Sequence, residues 1–212
     1  MINPIPDRSD FAPLAQQHFY HTGIAVEVGV FRGEFSAHNL KHWKGWYYMV
    51  DTWAHRPGDG QDKNDEDSGH WSAVINDARR ATRFAEDRRE LIREYSVAAA
   101  EKFKDGSLDW VFIDAGHDYQ NCFADLVAWW PKLRPGGLFS GDDYGAGYDD
   151  PAVLPLTAER FSREYGLTAE TYDWGTAKAL SEFCAARGLQ VNVTWLNDTH
   201  NPAWWIIKPN LL

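Results

Sequence analysis

Acidic residues recur in this chain at the ends of short apolar runs. Glu27 sits in Ile24-Ala-Val-Glu-Val28, just before Gly29. Asp51 follows Trp46-Tyr-Tyr-Met-Val50, and Asp114 follows Trp110-Val-Phe-Ile113. The pair Asp142 and Asp143 comes just after Leu138-Phe-Ser140. A single acid in such a place can simply cap a helix. Four in register imply a shared site, because open α/β sheets bind ligands beyond the carboxyl ends of their strands.

The types suggest distinct jobs. Glu27-Val-Gly29-Val-Phe-Arg-Gly33 is a glycine turn between a strand and a helix. Glycine there lets a ligand approach the backbone, although a plain tight turn would look the same. The turn is not G-x-G-x-x-G, so the dinucleotide fingerprint fails. Asp51 stands 24 residues after Glu27, a spacing suited to holding the ribose hydroxyls of a nucleoside. Its alternative role is a cap. Trp53 offers a flat face for an adenine ring, or an ordinary core side chain. Asp114, Asp142 and Asp143 end adjacent predicted strands, about 4.8 Å apart, so their carboxylates can converge on one ion. Oxygen donors without cysteine suit Mg²⁺ or Mn²⁺. The other reading gives one acid to the cofactor and leaves the rest to cap turns. His117, three residues past Asp114, can take a proton near neutrality, or pack beneath the next helix.

These positions need a scaffold, and hydrophobic periodicity supplies one. Strands are predicted at 24–28, 46–50, 90–93, 110–113, 138–140, 191–195 and 203–207. Helices are predicted at 10–20, 36–43, 72–84, 97–103, 119–130, 153–165 and 176–187, with Pro135-Gly-Gly137 as a turn. Alternating strands and helices mean a doubly wound α/β fold with a mostly parallel seven-stranded sheet. The link from Leu196 to Pro202 is too short for a parallel crossover. One antiparallel strand near the edge is therefore expected. Residues 1–212 read as a single domain, with residues 1–22 a helical extension and 54–70 and 145–174 candidate lid or substrate loops.

Composition narrows the partners. The net charge is −10 at pH 7, which opposes a nucleic-acid backbone and an anionic membrane surface. A small-molecule acceptor fits better. Cys122 and Cys184 cannot build a disulfide framework, and no export signal is visible, so a reducing, cytoplasmic setting is expected. The 11 tryptophans fit a homodimer interface as well as a core.

Taken together, Glu27 to Ser36, Leu108 to Tyr119, Leu133 to Gly137, Gly141 to Tyr144 and Gly175-Thr-Ala-Lys178-Ala179 resemble the catechol-type and macrocin-type O-methyltransferases. The likeness runs from Val26 to about Cys184, with Asp109 to Tyr144 its most specific block. It implies a class I fold binding S-adenosylmethionine. Glu27, Gly29 and Gly33 would line the methionine part, with Ser36 at the end of the same motif among the cofactor-binding residues. Asp51 would hold the ribose and Ser96 would lie near the adenine. Asp114, Asp142 and Asp143 would hold a divalent metal, usually magnesium, with Asp114 also bordering the cofactor. Catechol enzymes carry a lysine base three residues after the first metal aspartate. His117 stands in that place here, and Asp114 and His117 form the expected catalytic pair. Asp143 replaces the asparagine of the catechol enzymes, as in the macrocin type, and leans toward a sugar or polyol.

The expected reaction is metal-assisted methylation of one of two neighbouring oxygens, in a sugar diol or a catechol. Three alternatives stay open. One is a metal-independent enzyme acting on nitrogen, carbon or a carboxylate. Another is a nicotinamide oxidoreductase, against which the failed fingerprint counts. The third is a binding module, since fold does not fix function.

Overall fold

A computed structural model describes residues 5, 7–19, 22–54, 68–144, 175–194 and 202–210. The predicted helix at 153–165 and the loop 145–174 lie outside the described residues, as does most of the loop 54–70.

Seven strands form one sheet in the order β3-β2-β1-β4-β5-β7-β6. They are β1 (Ile24–Val28), β2 (Trp46–Asp51), β3 (Arg89–Arg93), β4 (Leu108–Ile113), β5 (Leu133–Gly141), β6 (Asn192–Val193) and β7 (Trp204–Ile207). The first five run parallel, and β7 is antiparallel to both β5 and β6. The expected doubly wound sheet with one reversed strand near the edge is therefore present. The helices are α1 (Phe11–Phe19), α2 (Glu34–His42), α3 (Ser68–Ala81), α4 (Ser96–Ala100), α5 (Tyr119–Trp129) and α6 (Thr176–Ala185).

Alternation along the strands sends side chains into two cores. Ala25, Tyr47, Met49, Trp110, Phe112 and Trp205 meet Phe11, Leu40, Trp43 and Val74 on one face. Val26, Val50, Val111, Ile113, Phe139 and Trp204 meet Leu126, Trp129, Leu180 and Phe183 on the other. Both faces are apolar, which is why the parallel strands read as continuous hydrophobic runs. Adjacent tryptophans such as Trp204 and Trp205 thus serve opposite layers.

The largest differences from the sequence reading fall in two elements. The turn expected at Pro135-Gly-Gly137 lies inside β5, which runs unbroken from Leu133. The β4–β5 register shifts between Leu108 and Trp110, so the irregularity is absorbed as a bulge. Cross-strand bonds from the Gly136 amide to the Lys208 carbonyl (2.7 Å) and from the Lys208 amide to the Gly137 carbonyl (3.0 Å) hold it. Helix α3 begins at Ser68 and stops at Ala81, a shift of four residues at its start relative to 72–84. It ends because the Thr82 hydroxyl bonds back to the Ala78 carbonyl at 2.7 Å, and the chain tightens into a 3-10 turn at Arg83–Ala85. Such side-chain competition for the backbone is what ends helices at threonine.

Candidate active site

The carboxyl ends of β1, β2 and β4 open into a cavity of about 340 Å³, within the range of small-ligand sites. Its lining includes Glu27, Gly29, Asp51, Thr52, Trp71 and Asp114, and also Arg8 from the N-terminal segment.

The β1 end is shaped by glycine. Gly29 has φ +90°, and a Cβ there would stand 1.7 Å from the Asp114 carbonyl oxygen. Only glycine permits that left-handed turn and that approach of two strand ends. Gly33, at φ +77°, starts α2, and a Cβ would lie 2.9 Å from Ala78 of α3. Its placement serves packing between helices, and it does not line the cavity.

Asp51 closes the β2 end. Its Oδ2 accepts from the Val30 and Phe31 amides, both at 2.9 Å, and its Oδ1 from the Trp53 amide at 2.8 Å. The carboxylate thereby fixes the glycine loop while still facing the cavity. Trp53 is fully buried and donates its indole N–H to the Phe31 carbonyl at 2.9 Å, so it lies in the core rather than in the cavity lining. Ser96 accepts from the Trp129 indole at 2.9 Å, and Ser36 is fully buried; neither lines the cavity. Trp71 does line it, with an indole nitrogen that is buried and without a hydrogen-bond partner among the described residues.

Glu27 is buried in the cavity floor. Strand alternation points it at the α1–α3 face, where Tyr47 donates to it at 2.5 Å and the Asn39 amide donates to Tyr47 at 2.8 Å. Burial pushes its carboxyl up to about 7, against the opposing effect of the Tyr47 hydrogen bond. A neutral carboxylic acid costs less to bury than a carboxylate.

The ends of β4 and β5 gather the remaining acids. One ligand atom each from Asp114, His117 and Asp143 lies within 4.8 Å of the others. His117 Nε2 is 3.3 Å from an Asp143 oxygen. Asp143 takes a left-handed backbone, φ +53°, which costs a non-glycine residue energy and tends to persist at functional sites. Asp142, also expected as a metal ligand, lies outside this convergent set. Its Oδ2 is held by the Arg8 guanidinium, while its buried Oδ1 has no partner among the described residues. Arg8 also lies 3.7 Å from Asp114 and 5.0 Å from the Phe35 ring centroid. Burial and the charges of Asp142 and Asp143 push the Asp114 carboxyl well above its usual range, only partly offset by Arg8. Burial and Asp143 likewise raise Asp142. Crowded carboxylates of this kind favour a proton or a cation among them.

The donor set fits a divalent ion on two observations: three convergent ligand atoms of oxygen and nitrogen, and beside them a buried Asp142 oxygen with no partner among the described residues. Sequence reasoning missed Arg8 and passed over Thr52. No local pattern marks an arginine 134 positions from its partner.

A family model described as a methyltransferase domain matches residues 26–144. The chain belongs to this family. Its sheet order is the class I, S-adenosylmethionine-dependent methyltransferase fold. Solved structures of similar fold include an O-methyltransferase from Bacillus cereus in complex with SAH, at 17% identity and TM-score 0.58, covering 95% of this chain and 80% of that one. An O-methyltransferase family protein from Burkholderia thailandensis gives 14% and 0.64, over 93% of this chain and 55% of that one. Cofactor-bound Rv0187 from MTB gives 16% and 0.60, over 96% and 80%. No curated protein matches the sequence. No helix among the described residues is long and apolar enough to cross a membrane. This methyltransferase thus places its glycine loop, Asp51 and the acidic cluster along one edge of a single sheet.

Proposed function

We propose that the enzyme moves a methyl group from S-adenosylmethionine to a hydroxyl of a small molecule bearing two adjacent oxygens, such as a sugar diol or a catechol. The observation that carries this is the convergence of Asp114, His117 and Asp143 at the margin of the cavity that also holds Glu27, Gly29 and Asp51. Structural neighbours named as O-methyltransferases support an oxygen acceptor.

Each part has a physical role. Asp51 and the Gly29 turn receive the nucleoside and methionine portions at the β1–β2 end. A divalent ion, held by Asp114 and Asp143 with Asp142 or His117, would supply positive charge that makes a hydroxyl easier to deprotonate. His117 takes the hydroxyl proton when it is not itself a ligand. The acceptor oxygen then forms a bond to the methyl carbon as the carbon–sulfur bond breaks, and sulfur keeps the electron pair. Alignment of oxygen, methyl and sulfur can account for about 7–11 kcal/mol of the barrier.

A metal-independent reaction is the second reading, and Arg8 favours it, because this guanidinium already gives the acids a cation. Calorimetric titration with S-adenosylhomocysteine, with and without Mg²⁺, followed by a screen of diols and catechols with and without chelator, tests both. Micromolar binding and chelator-sensitive turnover are expected. Turnover indifferent to chelator overturns the metal reading, and no binding at all overturns the cofactor assignment.

A further inference from the structure

Arg8 is set by local rules at the lip of an acidic site. It opens a 3-10 turn, Arg8–Asp10, whose cap is reciprocal: Asp7 accepts from the Ser9 amide at 2.8 Å, and the Asp10 carboxylate accepts from the Asp7 amide at 3.2 Å. His38 Nε2 meets the Ser9 carbonyl at 2.8 Å and ties the turn to α2. The side chain then crosses Phe35 and ends on Asp142, beside Asp114. Burial works against its charge, and Asp142 and Asp114 outweigh that cost.

Two carboxylates, Asp142 and Asp114, meet this one guanidinium, and Asp143 follows Asp142 in the chain. A divalent ion brings twice the charge to the same oxygens, and two cations a few ångströms apart in a partly buried place repel strongly. Asp142, one of whose oxygens Arg8 holds, is also among the carboxylates named above as able to hold a metal.

We propose that Arg8 and a divalent metal exclude one another at Asp114 and Asp142, so that Arg8 acts as a built-in competitor and metal entry drives the 3-10 turn off the cavity lip. The inference rests on the metal reading given above. Helix α1 stays docked throughout, because Phe11, Ala12 and Ala15 are fully or almost fully buried in the core. The movement is confined to the turn and its contacts with His38 and Phe35. Arg8 is in these terms a positioning residue that sets metal affinity.

The test is Mn²⁺ titration, by calorimetry, of the full-length wild type, Arg8→Met and Arg8→Lys. Arg8→Met should bind Mn²⁺ about tenfold more tightly than the wild type, within the usual span of coupling between two ligands. Arg8→Lys keeps the charge and should stay close to wild type. Equal or weaker Mn²⁺ binding by Arg8→Met overturns the competition and leaves the metal site standing. No Mn²⁺ binding by any of the three overturns the metal reading, and the competition with it. Hydrogen exchange on the wild type needs no variant: the Ser9 and Asp10 amides should exchange faster with saturating Mn²⁺. Unchanged or slower exchange there counts against the release of the turn.

Discussion

Asp51 after β2 and Asp142 after β5 are both acids at the carboxyl edge of one sheet, and their surroundings are opposite. Both oxygens of Asp51 are served by backbone amides, from Val30, Phe31 and Trp53. Asp142 has one arginine on one oxygen, no partner on the other among the described residues, and two more carboxylates nearby. Asp51 is completed by a loop 20 to 21 positions away, and Asp142 by a residue 134 positions away. The comparison separates a carboxylate that shapes a binding loop from a cluster whose charge is balanced only in part. The first kind should govern cofactor binding and stability, the second turnover and cation binding.

The largest effect that could break this division belongs to Asp143→Ala. It should lower turnover by about 10²–10³-fold, since a catalytic ion stabilises transition-state charge by several kcal/mol. Affinity for S-adenosylhomocysteine should hardly move. Parallel losses in the two measurements would merge the regions.

Gly29→Ala tests the loop side. The added Cβ meets the Asp114 carbonyl at 1.7 Å in a left-handed backbone. Overpacking and backbone strain together should cost about 3 kcal/mol, a fall of roughly 6–12 °C in Tm. A normal melting curve would show that the strand ends can part freely.

Glu27→Gln sharpens the contrast through pH. Below the unfolded value of 4.5 the carboxyl is protonated in both states. Between there and about 7 the unfolded chain ionises while the folded chain holds its proton. Unfolding then releases a proton, so wild-type stability falls as pH rises, and the penalty is constant above the folded value. The amide variant escapes it, and should be more stable by roughly 2–3 kcal/mol at pH 8 and equal to wild type at pH 4. Chemical denaturation at the two pH values decides it; equal stability at pH 8 would mean that folding does not raise the Glu27 carboxyl.

Asp51→Asn should have the smallest effect on folding. In its better orientation the NH2 group must still face one N–H donor, the Trp53 amide, at about 1–2 kcal/mol. Its mark should be weaker S-adenosylhomocysteine binding, with turnover at saturation largely kept. Loss of saturated turnover equal to that of Asp143→Ala would erase the distinction.

The apolar runs around Glu27, Asp51 and Asp114 foretold their strands closely, because a parallel strand buried on both faces must be continuously hydrophobic. Pro135-Gly-Gly137 misled, since the same residues make a turn in isolation and a bulge when a partner strand accepts their backbone bonds. Trp53 shows the limit for side chains: a tryptophan two residues past a ribose-type aspartate fits stacking or core equally. Its burial and its bond to Phe31 are decided by what folds over it.

The sequence by itself determined the order of strands and helices, the acids at the strand ends and the glycines at the first turn, because periodicity and backbone conformation are local. Tertiary structure decided which of those acids meet. It joined Asp114 and Asp143 to His117, gave Asp142 to Arg8, and set Ser96 and Trp53 outside the cavity lining. The physical reason is range: hydrogen bonding along the backbone is specified within a few residues, whereas the pairing of charges across a fold depends on how distant helices and strands pack.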